Sequence, residues 1–232
     1  ALPLYARLPR DFSAAFPAGK RVIAEIKFAS PSGGALRPGA CAEEAVRIAG
    51  SYLSAGAAAL SILTEPRFFS GSPDYLAAVR RRFPRAKLLM KDFFLDPYQF
   101  ELARAHGADA ILLIAALLRK DLPFMLAEAR RLGLTPLVEV HTLAELRAAE
   151  AVGAELIGVN SRDLRTLETD LAVAERLAAE SRSGAILIAE SGLRTGRDLK
   201  RLGALGYRGF LIGTELMRRP DPGRALRTLL GG

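Results

Sequence analysis

Short, nearly continuous apolar runs alternate along this chain with segments in which apolar residues recur at helical spacing. The first pattern is typical of strands buried on both faces, and the second of amphipathic helices. Four of the apolar runs begin just after a glycine that ends a helical segment, at Gly56, Gly107, Gly153 and Gly206. Glycine is favoured there because the residue after a helix often adopts a left-handed conformation. This repeated plan predicts a regular succession of helix, turn and strand.

Eight strands are predicted, each separated from the next by enough chain for one helix and two short loops. They are Val22–Lys27, Ala59–Thr64, Leu88–Asp92, Ala110–Ile114, Pro136–Val140, Leu156–Asn160, Ala185–Glu190 and Gly209–Gly213. Eight such units within about 250 residues are typical of an α/β protein with the (β/α)8 (TIM) barrel fold. A doubly wound open sheet is the alternative, but the glycine-rich turn G-x-G-x-x-G that it would carry after a strand is absent. We predict one barrel domain over residues 22–232, after an extension over residues 1–21 with a short helix near Asp11–Phe16.

The composition excludes several classes of protein. Half of the 232 residues are apolar, which argues against disorder, and apolar runs such as Ala110–Leu118 are too short to span a membrane. The single cysteine, Cys41, cannot form an internal disulfide, so we expect a cytoplasmic protein. No cluster has the spacing of metal ligands and no P-loop motif occurs, so neither a metal nor another cofactor is expected.

The charge balance favours a small anionic ligand over nucleic acid. The net charge is +8, but the basic residues are scattered and are not interleaved with aromatic residues, as stacking on nucleic-acid bases would require. We therefore expect a small anionic substrate, and we expect the protein to be a monomer. Lysines are few in this chain, yet Lys27 and Lys91 both lie in predicted apolar strands. Because lysine can lose its proton and arginine in a protein cannot, these two residues are candidates for proton chemistry.

Polar side chains gather at the carboxyl ends of seven predicted strands, where (β/α)8 barrels carry their active sites. The charged members are Glu25, Lys27, Glu65, Lys91, Glu139, Arg162 and Glu190, whereas the fourth strand ends apolar at Leu112–Ile114. Ionisable groups among apolar residues are costly unless they are paired or solvated in a cleft. Charges of both signs in one cavity therefore indicate acid–base catalysis. His141 lies at the same end and is a weaker candidate for substrate contact.

Small residues after the last two strands predict an anion site. Ser191 and Gly192 follow the seventh strand, and Gly213 and Thr214 follow the eighth. Such residues let backbone N–H groups approach an anion, and this fold often binds phosphate in these two loops. Arg162 is suited to a two-pronged contact with a carboxylate or phosphate.

The strand ends taken together resemble those of the indole-3-glycerol phosphate synthase family. The matching segments are Ile23–Lys27 with Ser30–Ser32, Leu63–Glu65 with Phe69–Ser72, Met90–Phe93, Leu137–Val140, Ile157–Leu164, Ala189–Gly192 and Leu211–Thr214. Each is weak alone, but the ordered set is specific. The resemblance implies a lyase of tryptophan biosynthesis that acts without a cofactor. Its reaction closes the indole ring of 1-(2-carboxyphenylamino)-1-deoxyribulose 5-phosphate, with loss of CO₂ and water.

The resemblance also implies a role for each matching residue. Lys91 would protonate the ribulose carbonyl oxygen, and Glu139 would act as the base. Lys27 would hold the anthranilate carboxylate, with Glu25 orienting it. Asn160 and Glu190 would hold the sugar hydroxyls and the lysine network. The slot around the anthranilate ring would be formed by Phe69, Phe93 and Leu112. The residues that match the polar and phosphate side of the substrate are Ser30, Arg162, Ser191, Gly192, Leu211, Gly213 and Thr214. An acid must release its proton near neutral pH, so we expect Lys27 and partial burial to lower the pKa of Lys91.

Two features depart from the family pattern, and two other functions remain alternatives. Phe28 follows the first-strand lysine where the family often has arginine. Many members carry a longer N-terminal segment whose helix covers the barrel mouth, a place that Asp11–Phe16 would have to take here. Phosphoribosylanthranilate isomerase would carry a cysteine base where this chain has Glu25 and Lys27. A basic nucleic-acid-binding barrel would not be expected to have three glutamates in its mouth, since they would repel phosphates.

Overall fold

Eight parallel strands close into a barrel in the computed structural model, which describes residues 4–163 and 165–231. In order around the barrel they are β1 Arg21–Ile26, β2 Ala59–Leu63, β3 Leu88–Lys91, β4 Ala110–Ile114, β5 Thr135–Val140, β6 Leu156–Asn160, β7 Ile186–Glu190 and β8 Gly209–Ile212, and β8 pairs with β1. The predicted (β/α)8 barrel is confirmed, and every strand boundary lies within one residue of its prediction. Leu164, which belongs to one of the matching segments, lies outside the described residues, as do residues 1–3 and 232.

Helices connect the strands and cover the outside of the barrel. They are α1 Ala42–Ser54, α2 Pro66–Phe69, α3 Pro73–Arg82, α4 Tyr98–His106, α5 Ala115–Leu118, α6 Leu122–Arg131, α7 Leu143–Ala151, α8 Ala172–Glu180, α9 Gly196–Ala204, α10 Thr214–Met217 and α11 Pro222–Gly231. The hydroxyls of Thr142 and Thr195 cap α7 and α9 by accepting hydrogen bonds from backbone N–H groups. Within residues 4–163 and 165–231, every helix is too short or too polar to cross a membrane.

Side chains alternate along each strand between the helices and the barrel interior, because successive residues of a strand point to opposite faces. In β1, Val22, Ala24 and Ile26 pack in the layer between strands and helices, whereas Ile23 belongs to the interior cluster. Near the amino-terminal end, the interior is apolar and is filled by Ile23, Ala59, Leu89, Ala110, Leu137, Leu156 and Ile188. Two residues further along several of these strands, the inward face carries charged side chains. Because side chains on one face recur every two residues, these charged groups lie in the next layer towards the mouth.

The segment before β1 closes the amino-terminal end of the barrel, opposite the mouth. Phe12 and Phe16 are fully buried in the interior cluster, with their ring centroids 5.6 Å apart. A Cβ atom on Gly209, the first residue of β8, would lie 2.9 Å from the ring of Phe16. Asp11–Phe16 therefore does not cover the mouth, because burial of both rings holds this segment at the opposite end of the barrel. The predicted helix is a single 3-10 turn, Ser13–Ala15.

A buried ion network fastens this segment to the barrel. Asp109, directly before β4, is fully buried and lies 2.5 Å from the guanidinium groups of both Arg7 and Arg80. It also accepts hydrogen bonds from the backbone N–H groups of Arg10 (2.8 Å) and Leu88 (2.9 Å). Both carboxylate oxygens thus have two partners, as a buried charge requires.

Candidate active site

A cavity of about 850 Å³ opens at the carboxyl ends of the strands. Its wall contains Glu65 and every residue to which the family resemblance gives a role: Glu25, Lys27, Ser30, Phe69, Lys91, Phe93, Leu112, Glu139, Asn160, Arg162, Glu190, Ser191, Gly192, Leu211, Gly213 and Thr214. His141, the weaker candidate for substrate contact, is not among the described residues that line the wall. A volume of this size suits a small organic ligand. The structure therefore brings the predicted residues together, while the role of each stays a prediction.

Lys91 lies at the centre of three buried carboxylates. Its Nζ atom is 3.6 Å from Glu25 Oε2, 3.7 Å from Glu190 Oε2 and 3.9 Å from Glu139 Oε2. The four residues come from β3, β1, β7 and β5, and their inward faces meet because the barrel is closed. None of these contacts is a close ion pair, so the ammonium group is held by the charge of the cluster rather than by one partner.

Glu25 is the carboxylate that stays ionised. Burial on its own would raise its pKa, but the positive charges of Lys27 and Lys91 and their hydrogen bonding lower the pKa to about 2. Lys27 Nζ lies 2.8 Å from Glu25 Oε1, and the hydroxyl of Ser61 donates to Glu25 Oε2 at 3.3 Å. Glu25 therefore links the two lysines of the mouth and carries a permanent negative charge at neutral pH.

The pKa of Lys91 is raised above its ordinary value, which corrects the expectation of a lowered one. Burial favours the neutral amine, but the negative charges of Glu25, Glu190 and Glu139 outweigh it. The expectation counted the neighbouring lysine and not the three carboxylates, and Lys27 is itself paired with Glu25. Lys91 is consequently an ammonium group at neutral pH.

Glu190 is the least satisfied of the three carboxylates. Burial and the negative charge of Glu139 raise its pKa well above the ordinary value. Neither of its oxygens has a hydrogen-bond partner within the described residues. A Cβ atom on Gly158 of β6 would lie 2.0 Å from Glu190 Oε1, so glycine at that position makes room for the carboxyl group. The mouth thus contains a carboxyl group that holds its proton more tightly than a solvated one.

The two loops after β7 and β8 present backbone at the mouth. Ser191 and Gly192 both have left-handed backbone angles, with φ values of 63° and 78°. A Cβ atom on Gly192 would lie 2.7 Å from Thr169 Cγ2, and one on Gly213 would lie 2.3 Å from Glu25 Oε1. The positive φ at a residue other than glycine is a strained feature of the kind that is common in binding loops. Both glycines are therefore required by close packing at the site.

Arg162 has a second task besides lining the cavity. Its guanidinium group donates a 2.6 Å hydrogen bond to the carbonyl oxygen of Leu167, and its backbone N–H donates to Asn160 Oδ1 at 3.0 Å. A bridge between Arg162 and Thr169 completes this loop after β6. Leu167 and Thr169 also line the cavity. The arginine therefore shapes the wall of the site as well as carrying charge.

Apolar side chains form one side of the cavity. The rings of Phe69 and Phe93 lie 6.3 Å apart and are tilted by 47°, and Leu112 is buried beside the interior cluster. Glu65 holds the loop that carries Phe69, because its carboxylate accepts hydrogen bonds from the backbone N–H groups of Arg67 (2.8 Å) and Phe68 (2.7 Å). Apolar residues next to the charged cluster give the cavity two chemically different halves.

The sequence did not single out three groups that the structure adds. Ser61 is a lone polar residue inside the apolar run of β2, and the strand register pairs it with Glu25. Glu65 was recognised as a polar strand end but not as a helix cap. Arg218, just after α10, lines the cavity and reaches the loop after β1, where its guanidinium group would meet a Cβ atom on Gly33 at 3.0 Å. The strand register or a contact in the folded chain is needed to recognise the structural role of each of these residues.

The comparisons with known proteins agree with this site. A family model described as indole-3-glycerol phosphate synthase matches residues 6–229. The indole-3-glycerol phosphate synthase of Carboxydothermus hydrogenoformans is 48% identical over 211 residues, covering 90% of this chain and 78% of that protein. That of Sulfurimonas denitrificans is 43% identical over 237 residues, covering 100% and 89%. Among solved structures, 3-hexulose-6-phosphate synthase from Salmonella typhimurium has a TM-score of 0.69 at 14% identity, covering 90% of this chain and 98% of that one, which is a likeness of fold alone.

Fold and site together define a (β/α)8-barrel enzyme with acid–base groups at the carboxyl ends of its strands. The family match makes the identification specific. This chain belongs to the indole-3-glycerol phosphate synthase family, the lyases of tryptophan biosynthesis that the strand ends resemble. Membership decides against both alternatives, the isomerase and the nucleic-acid-binding barrel.

Proposed function

We propose that this chain converts 1-(2-carboxyphenylamino)-1-deoxyribulose 5-phosphate to indole-3-glycerol phosphate. The observation that carries the proposal is Lys91, a protonated lysine held among Glu25, Glu139 and Glu190 at the base of a cavity with one apolar wall. Ring closure needs such a proton donor beside a carbonyl oxygen, together with a slot that holds the aromatic ring against the carbonyl carbon.

The first step forms the carbon–carbon bond of the new ring. The aromatic carbon that bears the carboxylate attacks the ribulose carbonyl carbon, and Lys91 gives its proton to the carbonyl oxygen, which becomes a hydroxyl group. The aromatic nitrogen supplies the electron pair and becomes positively charged. Glu139 is the carboxylate that we assign to stabilise this charge.

Loss of CO₂ and water completes the indole. The carboxylate leaves as CO₂, and its bonding electrons return to the ring and neutralise the nitrogen. The new hydroxyl then departs as water with a proton from Lys27, while Glu139 takes a proton from the carbon next to the nitrogen. Two protons are given and one is taken, so each turnover consumes one proton from solvent. Asn160 and Glu190 are assigned to hold the sugar hydroxyls and the lysine network.

The substrate's ends are assigned to the two halves of the cavity. Phe69, Phe93 and Leu112 form the slot for the anthranilate ring, and Lys27 faces its carboxylate. The polar and phosphate side of the substrate is assigned to the opposite side of the mouth, near Ser30, Arg162, Ser191, Gly192, Leu211, Gly213 and Thr214. Left-handed backbone at Ser191 and Gly192, and small residues before α10, support this assignment because backbone N–H groups can then approach an anion.

The decisive experiment adds the carboxyphenylamino-deoxyribulose phosphate to the purified protein and measures indole-3-glycerol phosphate by its fluorescence. We expect product without added metal or organic cofactor, and competition by millimolar inorganic phosphate. Absence of product would overturn the proposal. Absence of competition would contradict the assignment of the phosphate site to the loops after β7 and β8. A substitution of Gly213 would not isolate the phosphate site, because any Cβ there collides with Glu25.

The context of the enzyme is also part of the proposal. We assign residues 22–232 to one barrel domain and residues 1–21 to an extension, of which the described part, residues 4–21, packs beneath the barrel. A chain with one cysteine suits the reducing cytoplasm. We assign it a monomeric state. Gel filtration at micromolar concentration tests that assignment.

A further inference from the structure

Behind Glu139, a histidine and a further carboxylate extend from the catalytic cluster towards solvent. His141 lies two residues further along the chain from β5's Glu139, and its Nε2 atom is 3.4 Å from Glu139 Oε1. Its Nδ1 atom is 3.4 Å from Oε2 of Glu145, in the first turn of α7. The imidazole ring therefore bridges two carboxylates, one inside the mouth and one outside it.

Backbone hydrogen bonds hold Glu145 beside the ring. The N–H group of His141 donates a 2.7 Å hydrogen bond to Glu145 Oε2, and the N–H group of Glu145 donates to the hydroxyl of Thr142 at 3.2 Å. The third carboxylate near the ring is Asp163, in the loop after β6, whose charge interacts with it. Three carboxylates thus surround one imidazole, the side chain that proteins use most often for proton transfer.

Exposure increases along the same line. The side chain of Glu139 is 3% exposed, that of His141 is 14% exposed and that of Glu145 is 22% exposed. The Nε2 atom is buried and has no hydrogen-bond partner within the described residues. It is a buried polar atom that faces a carboxylate just beyond hydrogen-bond distance, in a position to exchange a proton when the two approach.

We propose that Glu145, His141 and Glu139 form a relay that returns a proton from solvent to Lys91 after each turnover. The proposal rests on the proposed function, in which the reaction consumes one proton, leaves Lys91 and Lys27 as neutral amines and leaves Glu139 protonated. Glu139 first gives its proton to Lys91 Nζ, 3.9 Å away. A proton from water then reaches Nδ1 through Glu145, and the Nε2 proton passes to Glu139 and on to Lys91. Lys91 passes one proton through Glu25 to Lys27, whose Nζ lies 2.8 Å from Glu25 Oε1, so both ammonium groups and both carboxylates are restored. His141 is thus a positioning residue that acts through Glu139.

The test separates the first turnover from the later ones. In His141→Ala, Lys91 still carries its proton before substrate arrives, so the first turnover remains fast. Later turnovers wait for the proton, so we expect steady-state kcat to fall by about tenfold while KM changes little. This loss is smaller than the ~10²–10⁴-fold loss expected for a group that transfers a proton to the substrate itself. Rapid mixing should therefore give a burst of one product per enzyme molecule, which the wild type lacks.

Two further variants and one additive complete the experiment. Imidazole in the buffer should restore the steady-state rate of His141→Ala in a saturable manner, because a small base can carry the proton through the space that the ring leaves. His141→Gln can still donate a hydrogen bond to Glu139 but cannot relay, so it should give the same burst. His106→Gln is the matched control: the chain has two histidines, and His106 ends α4 and contacts the Leu102 carbonyl oxygen, away from the cavity.

Each outcome has a defined meaning. An unchanged steady-state rate in His141→Ala, or a first turnover slowed as much as the steady state, overturns the relay and leaves at most a packing role for the ring. Full activity of His141→Gln also overturns it. A wild type that makes no indole-3-glycerol phosphate contradicts the proposed function instead, so the two failures are distinguishable. Thermal unfolding of each variant confirms that it is folded.

Discussion

Both ends of the barrel bury charged side chains, but they treat them in opposite ways. At the amino-terminal end, Asp109 and Arg80 lie 2.5 Å apart, and the arginine also donates to the carbonyl oxygens of Gly107 (2.8 Å) and Ala86 (2.6 Å). At the mouth, Lys91 lies 3.6 Å or more from each of its carboxylates, and both oxygens of Glu190 lack a hydrogen-bond partner among the described residues. The Asp109–Arg80 pair is fully hydrogen-bonded, whereas the cluster around Lys91 is open.

The difference teaches how to recognise a site among buried charges. A fully paired network stabilises one arrangement of the chain, because breaking it would leave an uncompensated charge in a low-dielectric interior. An open network has unused hydrogen-bonding groups, which a substrate can satisfy when it binds. It also contains groups with perturbed pKa values, which are suited to proton transfer. Burial alone does not distinguish the two ends. What distinguishes them is how much of the hydrogen-bonding capacity the protein itself uses.

The largest effect is expected at the open end, from Lys91. Lys91→Arg keeps a cation but cannot donate a proton at neutral pH, and Lys91→Met removes both charge and proton. Both variants should lose ~10²–10⁴ or more in kcat, the range for one acid–base group, with KM changed far less. Steady-state kinetics would contradict the acid role if the arginine variant kept activity within about tenfold.

The pH profile of the wild type sharpens the same point. The raised pKa of Lys91 keeps its proton in place through the neutral and mildly alkaline range. Glu25, with a pKa of about 2, stays ionised throughout that range. We therefore expect that any fall in kcat between pH 7 and pH 9 does not come from deprotonation of Lys91. The residual activity of Lys91→Arg should then fall over the same pH range as that of the wild type.

At the amino-terminal end, Asp109→Ala should affect stability and not chemistry. Removing the carboxylate leaves Arg80, which is 1% exposed, without its charged partner. Breaking one partner of a buried pair costs about 3–5 kcal/mol, so Tm and the free energy of unfolding should fall steeply. The folded fraction, assayed well below its Tm, should keep the wild-type kcat and KM. A selective loss of kcat would mean that the two ends are coupled.

Phe16 tests which end of the barrel the N-terminal segment serves. Phe16→Leu removes part of a fully buried ring beneath β8, and we expect it to destabilise the protein by about 1–3 kcal/mol. Because the ring lies opposite the mouth, KM for the substrate should stay at its wild-type value. A lid over the mouth would give the reverse, namely a raised KM with little change in Tm.

Much of this contrast could be predicted from the sequence, for a physical reason. The period of two along a strand puts Glu25, Lys91, Glu139 and Glu190 on the inner face, and closure of the barrel brings those faces together. Apolar rings such as Phe12 could equally fill a lid or a plug, because periodicity does not say which end of a barrel a segment covers. The pKa of Lys91 depends on distances to three carboxylates from other strands, which a single sequence does not contain.

The smallest effect, and the sharpest test of the contrast, is expected from Glu190→Gln. Burial and Glu139 raise the pKa of Glu190, so the folded state holds this proton to a higher pH than the unfolded state does. Wild-type stability is therefore lost progressively as pH rises above the ordinary glutamate pKa of ~4.3. Glutamine has nearly the same shape and cannot ionise, so the variant escapes that loss. We expect it to be more stable than the wild type at pH 7.

Below pH 4 the free energies of unfolding should converge, because Glu190 is then protonated in both states. The same variant should be slower in catalysis, since it no longer supplies a carboxylate to the lysine network. Denaturant unfolding at several pH values, beside steady-state kinetics, measures both quantities. A Glu190→Gln variant that is less stable than the wild type at every pH would resemble Asp109→Ala, and the mouth would then be a second structural network. Gain of stability with loss of activity instead identifies a charge that is kept for the reaction at the expense of the fold.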